Sequence, residues 1–301
     1  MRPLRLRQQQ SMEFERDSAS VHPLCFMVLD RRVRVDCADP ALRAVLAANY
    51  AAMPELQEDV PCDLHYYVEC SQQPQGFILS RAGETALSAE DAGDLLFLLE
   101  KDIIVELQKM RPELLFLHSA TLNWRGKACL LVGESGAGKS TTAWALLHHE
   151  FGYLSDELGP IDVDTFQVHP YPHALCLKDL PAPPYSLGVD ALHLGRTVHV
   201  PTRSMPSAAI VQPRELGALF FLKYSPGHRG SSLREVDAPE ASAHLYVNVL
   251  NALAHPNRGL DAVVRIAEGV PSFALAAADL PSTCALIRSA MEQTQNDSGH
   301  A

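Results

Sequence analysis

Short apolar runs separated by turn residues characterise the chain between residues 21 and 87. The segment "LCFMVLDRRVRVDC" alternates apolar and polar positions around Asp30-Arg31-Arg32, which predicts a β-hairpin with its turn at these three residues. The segments "CDLHYYVEC" and "GFILSRAG" predict further strands. Together they indicate a small, mostly β unit near the N-terminus.

From Ser88 the spacing of apolar residues changes to steps of three and four. The sequence "SAED" has the form of a capping box, and apolar residues then recur on one helical face as far as Pro112. These residues are Leu96, Leu99, Ile103, Leu107 and Met110. Residues 21–110 are therefore predicted to form an α+β region that ends in a linking helix.

A second hairpin is predicted immediately after this helix. Its strands are "LLFLHSATL" and "KACLLV", and the turn residues between them place the centre of the turn between positions 124 and 125. In that register His118 lies opposite Leu131. The second strand leads directly into a glycine-rich loop, so we expect the His118 imidazole to lie near that loop.

Strand and helix patterns continue to alternate downstream of the glycine-rich loop. The segment "STTAWALLHHEF" predicts a helix that stops at Gly152, and "GYLS" predicts a short strand after it. Residues 160–215 are rich in Pro and His and predict loops with short strands. Two strand–helix units follow, "LGALFFLKY" with "PEASAHLYVNVLNALAH" and "VPSFALAA" with "PSTCALIRSAMEQ".

The domain organisation predicted from these patterns has four parts. Residues 1–20 and 295–301 are polar and lack apolar periodicity, so we expect flexible ends. Residues 21–110 form the N-terminal region. Residues 111–294 form an α/β domain around the glycine-rich loop.

Composition restricts the classes of partner. The chain has 25 basic and 36 acidic side chains, a formal charge of -11, which argues against a nucleic-acid groove. The chain has seven cysteines, but they form no CxxC pair and no Cys/His cluster, so neither a zinc site nor a disulfide framework is indicated. This pattern fits a protein of the reducing cytoplasm. We find neither a secretory signal nor an apolar run long enough for a membrane span, so a cytoplasmic protein without membrane contact is expected.

The most specific motif is "GESGAGKS", which has the form G-x-x-x-x-G-K-[ST] between a predicted strand and a predicted helix. Its backbone N–H groups and the helix N-terminus are suited to hold phosphate oxygens. Lys139 is expected to reach the β- and γ-phosphates of ATP, and Ser140 to ligate Mg²⁺. The predicted nucleotide contacts are Gly133, Glu134, Ser135, Gly136, Ala137, Gly138, Lys139, Ser140 and Thr141.

Two carboxylates follow the loop at short range. Asp156 and Glu157 come 17 and 18 residues after Lys139, at the end of the next strand. If that strand runs parallel beside the strand of the loop, both carboxylates lie at the carboxyl edge of the sheet, where α/β proteins bind ligands. One of them can then accept a proton from an acceptor hydroxyl while the other helps to hold Mg²⁺, so Asp156 and Glu157 are both candidate metal ligands with Ser140. A solvated acidic turn and a merely packed His118 are the alternative interpretations.

Other nucleotide-binding classes fit less well. The chain lacks an LSGGQ-like signature, which argues against its being an ABC-type ATPase. The sequence "DELG" matches the D-x-x-G of GTPase switches, but no N-K-x-D for guanine accompanies it. Phosphoryl transfer often needs an additional positive charge near the transferring phosphate. Candidates in predicted loops are Arg203, Arg229 and Arg234.

The ordered set His118, "GESGAGKST" and "YLSDE" resembles the core of the HPr kinase/phosphorylase family and, more closely, its HPr-kinase-related relatives. The resemblance covers roughly residues 112–180. It implies a P-loop core with a mixed parallel and antiparallel sheet, shared with phosphoenolpyruvate carboxykinases. It also implies phosphate transfer from ATP to a serine hydroxyl, with Asp156 as general base and His118 near the phosphates.

The segment "HPYPHALCLKD" resembles the stretch that follows in the related kinases, which makes Lys178 a candidate phosphate contact. Two positions depart from the family pattern: Thr141 stands where a Glu is usual, and Glu157 where a second Asp is usual. The C-terminal partner signature of the family is not recognised in residues 200–260. The resemblance therefore implies the kinase step. It leaves open whether the chain forms homo-oligomers.

Three functions are consistent with these residues. The first is an ATP- and Mg²⁺-dependent kinase, whose hydroxyl acceptor is a peptide, a protein or a small molecule. The second is a nucleotide-gated binding module that transfers no phosphate. The third, phosphoenolpyruvate-carboxykinase-like chemistry, rests on kinship of fold alone.

Overall fold

The structure is a computed structural model in which residues 22–72, 75–225, 227 and 230–298 are described. It is an α/β protein with mixed parallel and antiparallel sheets. The N-terminal region contains β1 (Leu24–Val28), β2 (Arg31–Cys37), α1 (Pro40–Asn49), β3 (Leu64–Gln72), β4 (Gln75–Arg81), β5 (Leu87–Ala89) and α2 (Ala92–Met110). Its strands form one sheet in the order β1-β2-β3-β4-β5, in which only β2 and β3 run parallel.

The remainder of the chain forms a larger sheet, a small sheet and four helices among the described residues. Its elements are β6 (Leu114–Leu117), β7 (Ser119–Trp124), β8 (Lys127–Val132), α3 (Lys139–Leu147), β9 (Gly152–Ser155), β10 (Gly159–Asp162), β11 (Gln167–Val168), β12 (Leu175–Leu177), β13 (Leu192–Leu194), β14 (Thr197–Val200), β15 (Arg214–Tyr224), β16 (Ser232–Glu235), α4 (Ala238–Tyr246), α5 (Leu260–Gly269), β17 (Ser272–Ala277) and α6 (Leu280–Ser298).

The larger sheet has the order β6-β10-β11-β15-β8-β7-β9, and β17 and β16 extend it beyond β15. Strand β15 runs parallel to both β8 and β17, whereas the other pairs are antiparallel. The small sheet has the order β12-β14-β13. The carboxyl ends of three parallel strands therefore meet at one edge of the larger sheet.

Helices bury both faces of the larger sheet. Apolar side chains of α3 and α6, such as Trp144 and Ile287, share a core with one set of strand residues. Residues of α4 and α5, such as Leu245 and Ile266, share a second core with the opposite set. This alternation of faces is the expected layout of an α/β sheet.

The N-terminal region has a third core, which also extends into the larger sheet. The apolar stripe predicted for the linking helix is buried in it, as expected. Leu114, Phe116, Leu158 and Tyr171, which lie outside this region in sequence, are fully buried in the same core. The two parts of the chain are thus joined by a continuous apolar contact.

The first predicted hairpin is confirmed, with a shifted turn. Leu29 and Asp30 form the turn with φ values of 47° and 59°, so Arg31 and Arg32 already belong to β2. The predicted start of the linking helix is wrong, because Ser88 lies in β5. Asp91 caps the helix instead, and its side chain accepts the Asp94 N–H at 2.9 Å.

The second hairpin forms, but its predicted register is wrong. Trp124 pairs with Lys127, so the turn is centred one residue later than expected. Arg125 and Gly126 form it with φ values of 47° and 94°, the left-handed pair that matches strand twist. Continuing this register places His118 level with Gly133, at the start of the glycine-rich loop. The first predicted strand is also broken at His118, because β6 pairs with β10.

Several predicted boundaries differ in the structure. Helix α3 ends at Leu147, before Gly152, and Glu150 takes a φ of 68° in the turn that leads into β9. The helix predicted after Pro239 ends at Tyr246, and helix α5 and strand β16 were not predicted. The loops and short strands expected over residues 160–215 are confirmed.

The tail predicted to be flexible begins at residue 295, whereas helix α6 continues to Ser298. Gln295 donates from Nε2 to the Trp124 carbonyl oxygen at 3.1 Å, which ties this last stretch to the second hairpin. The flexible end predicted over 1–20, and residues 299–301, lie outside the described residues. No helix within the described ranges is long and apolar enough to cross a bilayer.

Candidate functional site

Three chain segments meet at one edge of the larger sheet. Strands β8 and β9 end there, whereas β7 begins there because it runs antiparallel to both. The expectation that β9 lies directly beside β8 is wrong, since β7 lies between them. Because all three ends share an edge, His118, the glycine-rich loop and Asp156 come together.

The glycine-rich loop (residues 133–140) has a conformation that depends on its glycines. A Cβ atom on Gly133 would lie 2.5 Å from the Leu222 carbonyl oxygen, so no larger residue fits without movement. Gly136 and Gly138 have φ values of 86° and 91°, which disfavour other residues. Gly138 also stands at the N-cap of α3 without a side-chain cap, which leaves first-turn N–H groups for an anion.

Lys139 is folded back over this loop. Its Nζ donates to the carbonyl oxygens of Gly133 at 2.8 Å and Glu134 at 3.2 Å, and the residue is only 7% exposed. Burial lowers its pKa from the usual 10.5, and the positive charge of Lys178 acts in the same direction. The side chain therefore places a partly desolvated ammonium group at the centre of the loop.

Asp156 is the most perturbed acid of the site. It is 1% exposed, and burial followed by the charge of Glu157 raises its pKa to about 7. The charge of His173, the Cys176 N–H and the Ser140 hydroxyl oppose that rise. The Cys176 N–H donates to Oδ2 at 3.0 Å, and the buried Oδ1 has no hydrogen-bond partner among the described residues. A carboxyl group of this kind exchanges protons near neutral pH.

His118 and Glu157 form the more open part of the site. His118 Nδ1 lies 3.5 Å from Glu157 Oε2, and both side chains remain partly exposed. Burial lowers the pKa of His118 from 6.5, and the positive charges of Lys139 and Lys178 lower it further. The negative charge of Glu157 opposes this shift. His118 is therefore mainly neutral at pH 7.

Lys178 also contacts the glycine-rich loop. Its Nζ donates to Ser135 Oγ at 3.2 Å, and the residue is exposed. The structure therefore brings Lys178 to the predicted loop.

The three arginines predicted as additional cations have different positions. Arg234 is held by both carboxylate oxygens of Glu240, Arg203 lies exposed in a short turn, and Arg229 lies outside the described residues.

A cavity of about 840 Å³ opens beside the loop. The carboxyl ends of β8, β15 and β17 and one side of α4 enclose it. Ligands of α/β proteins bind at such carboxyl ends. Its lining includes Phe221, Lys223, Tyr224, Arg234, Glu240 and His244.

No protein-family model matches the chain, and no curated protein matches it. The residues of the site are therefore the basis for assigning a function.

Within the described ranges, no group of three His, Cys, Asp or Glu side chains is arranged to hold a metal ion. The pair Asp156 and Glu157 with the Ser140 hydroxyl is a smaller oxygen set, which suits an ion that takes further ligands from a substrate.

Behind Asp156 lies a buried polar group that the sequence interpretation missed. His173, 1% exposed, places Nδ1 2.9 Å from Glu100 Oε1 in α2. Asn49 Nδ2 donates to the same oxygen at 3.1 Å. One sequence signal was present, since Glu100 comes four residues after Leu96 and three before Ile103, within the apolar stripe of the linking helix.

Proposed function

We propose that the chain is an ATP- and Mg²⁺-dependent kinase with a P-loop core of the HPr kinase and phosphoenolpyruvate carboxykinase type. It transfers the γ-phosphoryl group to a hydroxyl of a peptide, a protein or a small molecule. The observation that supports this most is a buried Asp156, with a pKa of about 7, beside the loop that carries Lys139. Nucleotide binding alone needs no carboxylate tuned for proton transfer.

Each part of the phosphate chain has a suitable group. Loop N–H groups and the Lys139 ammonium would hold phosphate oxygens, and the cavity beside the loop has room for the nucleoside. Ser140, Glu157 and the unpartnered Oδ1 of Asp156 would hold Mg²⁺, because a hard cation prefers oxygen ligands and satisfies that buried atom. The ion would neutralise charge on the transferring phosphate.

The proton has a destination in the same site. Asp156 would accept the proton of the acceptor hydroxyl. The oxygen of that hydroxyl would bond to the γ-phosphorus while the bond from the γ-phosphorus to the β–γ bridging oxygen breaks, so that ADP leaves. Lys178 adds positive charge over the loop. A neutral His118 can donate one hydrogen bond to a phosphate oxygen without requiring protonation.

The test compares Asp156→Asn with the unchanged chain. We expect phosphoryl transfer from radiolabelled ATP to a library of Ser-containing peptides and small alcohols to fall by roughly 10²- to 10⁴-fold, the usual contribution of general-base catalysis. Binding of a fluorescent ATP analogue is expected to persist, whereas Lys139→Ala weakens it. Normal turnover by the Asn variant would exclude Asp156 as the base, and nucleotide binding without any phosphorylated product would favour a binding module.

A further inference from the structure

Residues 173–178, the bridging segment, contact the N-terminal region at one end. The His173 ring forms the 2.9 Å ion pair with Glu100 of α2. The next residue, Ala174, donates its N–H to the Asn49 carbonyl oxygen at 2.7 Å. Asn49 is the last residue of α1 and also binds Glu100 through its side chain. Two helices of the N-terminal region thus hold the start of this segment.

The other end of the bridging segment contacts the candidate site. The Cys176 N–H donates to Asp156 Oδ2 at 3.0 Å. Two residues later, Lys178 donates to Ser135 Oγ of the glycine-rich loop at 3.2 Å. Only one residue, Leu175, separates the Asp156 contact at Cys176 from the Asn49 contact at Ala174. The groups that contact Asp156 and the loop therefore lie within four residues of the N-terminal contacts, on a segment that β14 also holds through β12.

The contact with Glu100 is ionic and largely buried, with His173 1% and Glu100 15% exposed. Burial favours neutral His173, but the charge and hydrogen bond of Glu100, with the charges of Asp156 and Glu157, raise its pKa from 6.5. The pKa of Glu100 is lowered from 4.5 despite burial, through His173 and Asn49. Both shifts favour the charged forms of His173 and Glu100, and such a pair demands close geometry from its partners.

Stability alone gives a weak reason for this pair. Replacing a buried ion pair by apolar residues of similar volume is often neutral or stabilising. The same interface already contains fully buried apolar contacts, such as Phe116 and Leu158. Glu100 and Asn49 add polar contacts at fixed positions, namely the ion pair with His173 and the hydrogen bond from Asn49 Nδ2 to Glu100 Oε1.

We propose that the N-terminal region is a working part of the catalytic site, in which Glu100 and Asn49 are positioning residues that hold the bridging segment against Asp156. The kinetic consequence rests on the proposed kinase function, whereas the positioning itself does not. A displacement of about 1 Å in such a support is enough to cost roughly 10²-fold in rate.

The positioning is tested by hydrogen–deuterium exchange of the full chain with Glu100→Gln. Glu106→Gln is a matched control, because Glu106 lies on the same helix, has 14% side-chain exposure against 15% for Glu100, and pairs with Arg81 inside the N-terminal region. We expect peptides covering residues 173–178 to exchange at least about tenfold faster in the Glu100 variant only, the loss of roughly 1.4 kcal/mol of protection. Equal exchange in the two variants would refute the positioning.

The catalytic consequence is tested by separating kcat from KM. For Glu100→Gln we expect kcat for phosphoryl transfer to fall at least about tenfold while KM for ATP changes less than about threefold, because Lys139 and the loop N–H groups that would hold ATP lie outside the bridging segment. Glu100→Asp, which keeps the charge, serves as the second variant if the Gln variant does not fold. Faster exchange with unchanged kcat in an active chain would overturn the catalytic role, and a chain without transfer activity would overturn the proposed function while the exchange result stands.

Discussion

At the level of single residues, the candidate site depends on a few side chains whose surroundings change their chemistry. Asp156 has an ordinary carboxyl group, and burial next to Glu157 raises its pKa to about 7. Lys139 loses part of its preference for the charged form through the same burial. The sequence predicted the identities of both residues from motif spacing. It could not predict their pKa shifts, because the largest cause of each is burial, which depends on the tertiary fold.

Gly133 offers a direct test of the loop. In Gly133→Ala the new Cβ would meet the Leu222 carbonyl oxygen at 2.5 Å and the Ala137 Cβ at 3.2 Å. We expect a loss of about 1–3 kcal/mol in the free energy of unfolding, the usual cost of overpacking, and weaker binding of a non-hydrolysable ATP analogue. Urea denaturation and calorimetry measure the two effects. Gly188→Ala is the control, since no atom lies within 4 Å of its Cβ, and equal behaviour of both variants would contradict the expectation.

At the level of elements, local patterns predicted more than tertiary partners did. The first hairpin and the helix α2 were predicted because alternation and a continuous apolar stripe are local signals. The second hairpin was predicted with a wrong register, because Arg125 takes a positive φ that residue type alone does not indicate. Helix α5 was missed although Val263, Ile266 and Ala267 form a buried face. The pairing of Glu100 with His173 spans the two parts of the chain, so no local pattern contains it.

The link between α2 and the bridging segment predicts a pH window for stability. The folded pKa of His173 is raised, so its contribution is complete below the unfolded value of 6.5 and is lost as pH rises through the folded value. The folded pKa of Glu100 is lowered, so its contribution is complete above 4.5 and is lost as pH falls through the folded value. The pair therefore stabilises the fold most between these two unfolded values.

Glu100→Gln makes that window measurable. We expect the free energy of unfolding to fall by about 3 kcal/mol relative to the unchanged chain near pH 5.5, the cost of breaking a buried pair, and by less at pH 9. Urea denaturation at a series of pH values provides the comparison. A difference that is constant from pH 4 to 9 would show that the charges do not contribute.

At the level of the whole molecule, the division predicted at residue 110 separates two sequence patterns but cuts through one apolar core. Leu114, Phe116, Leu158 and Tyr171 are fully buried in the core of the N-terminal region. Each buried apolar side chain contributes roughly 1.5–3 kcal/mol. Exposing four of them costs roughly 6–12 kcal/mol, which is comparable with the whole stability of an ordinary domain.

A fragment that begins at residue 111 is therefore expected not to fold by itself. We expect it to be insoluble or to lack a cooperative thermal transition, because its exposed apolar surface has lost the cover of α2. Circular dichroism during heating, compared with the full chain, measures this. A cooperative transition at the Tm of the full chain would show that the N-terminal region is dispensable.

The antiparallel strand β7 between β8 and β9 has a consequence for the size of ligand that fits. Adjacent strands lie about 4.8 Å apart, so the ends of two direct neighbours would leave a gap little wider than one oxygen atom and its contacts. With β7 inserted, the ends of β8 and β9 lie two strand spacings apart, roughly 10 Å, and the start of β7 lies between them. One reversed strand thus sets the distance between the glycine-rich loop and Asp156, and with it the size of a group that can contact both.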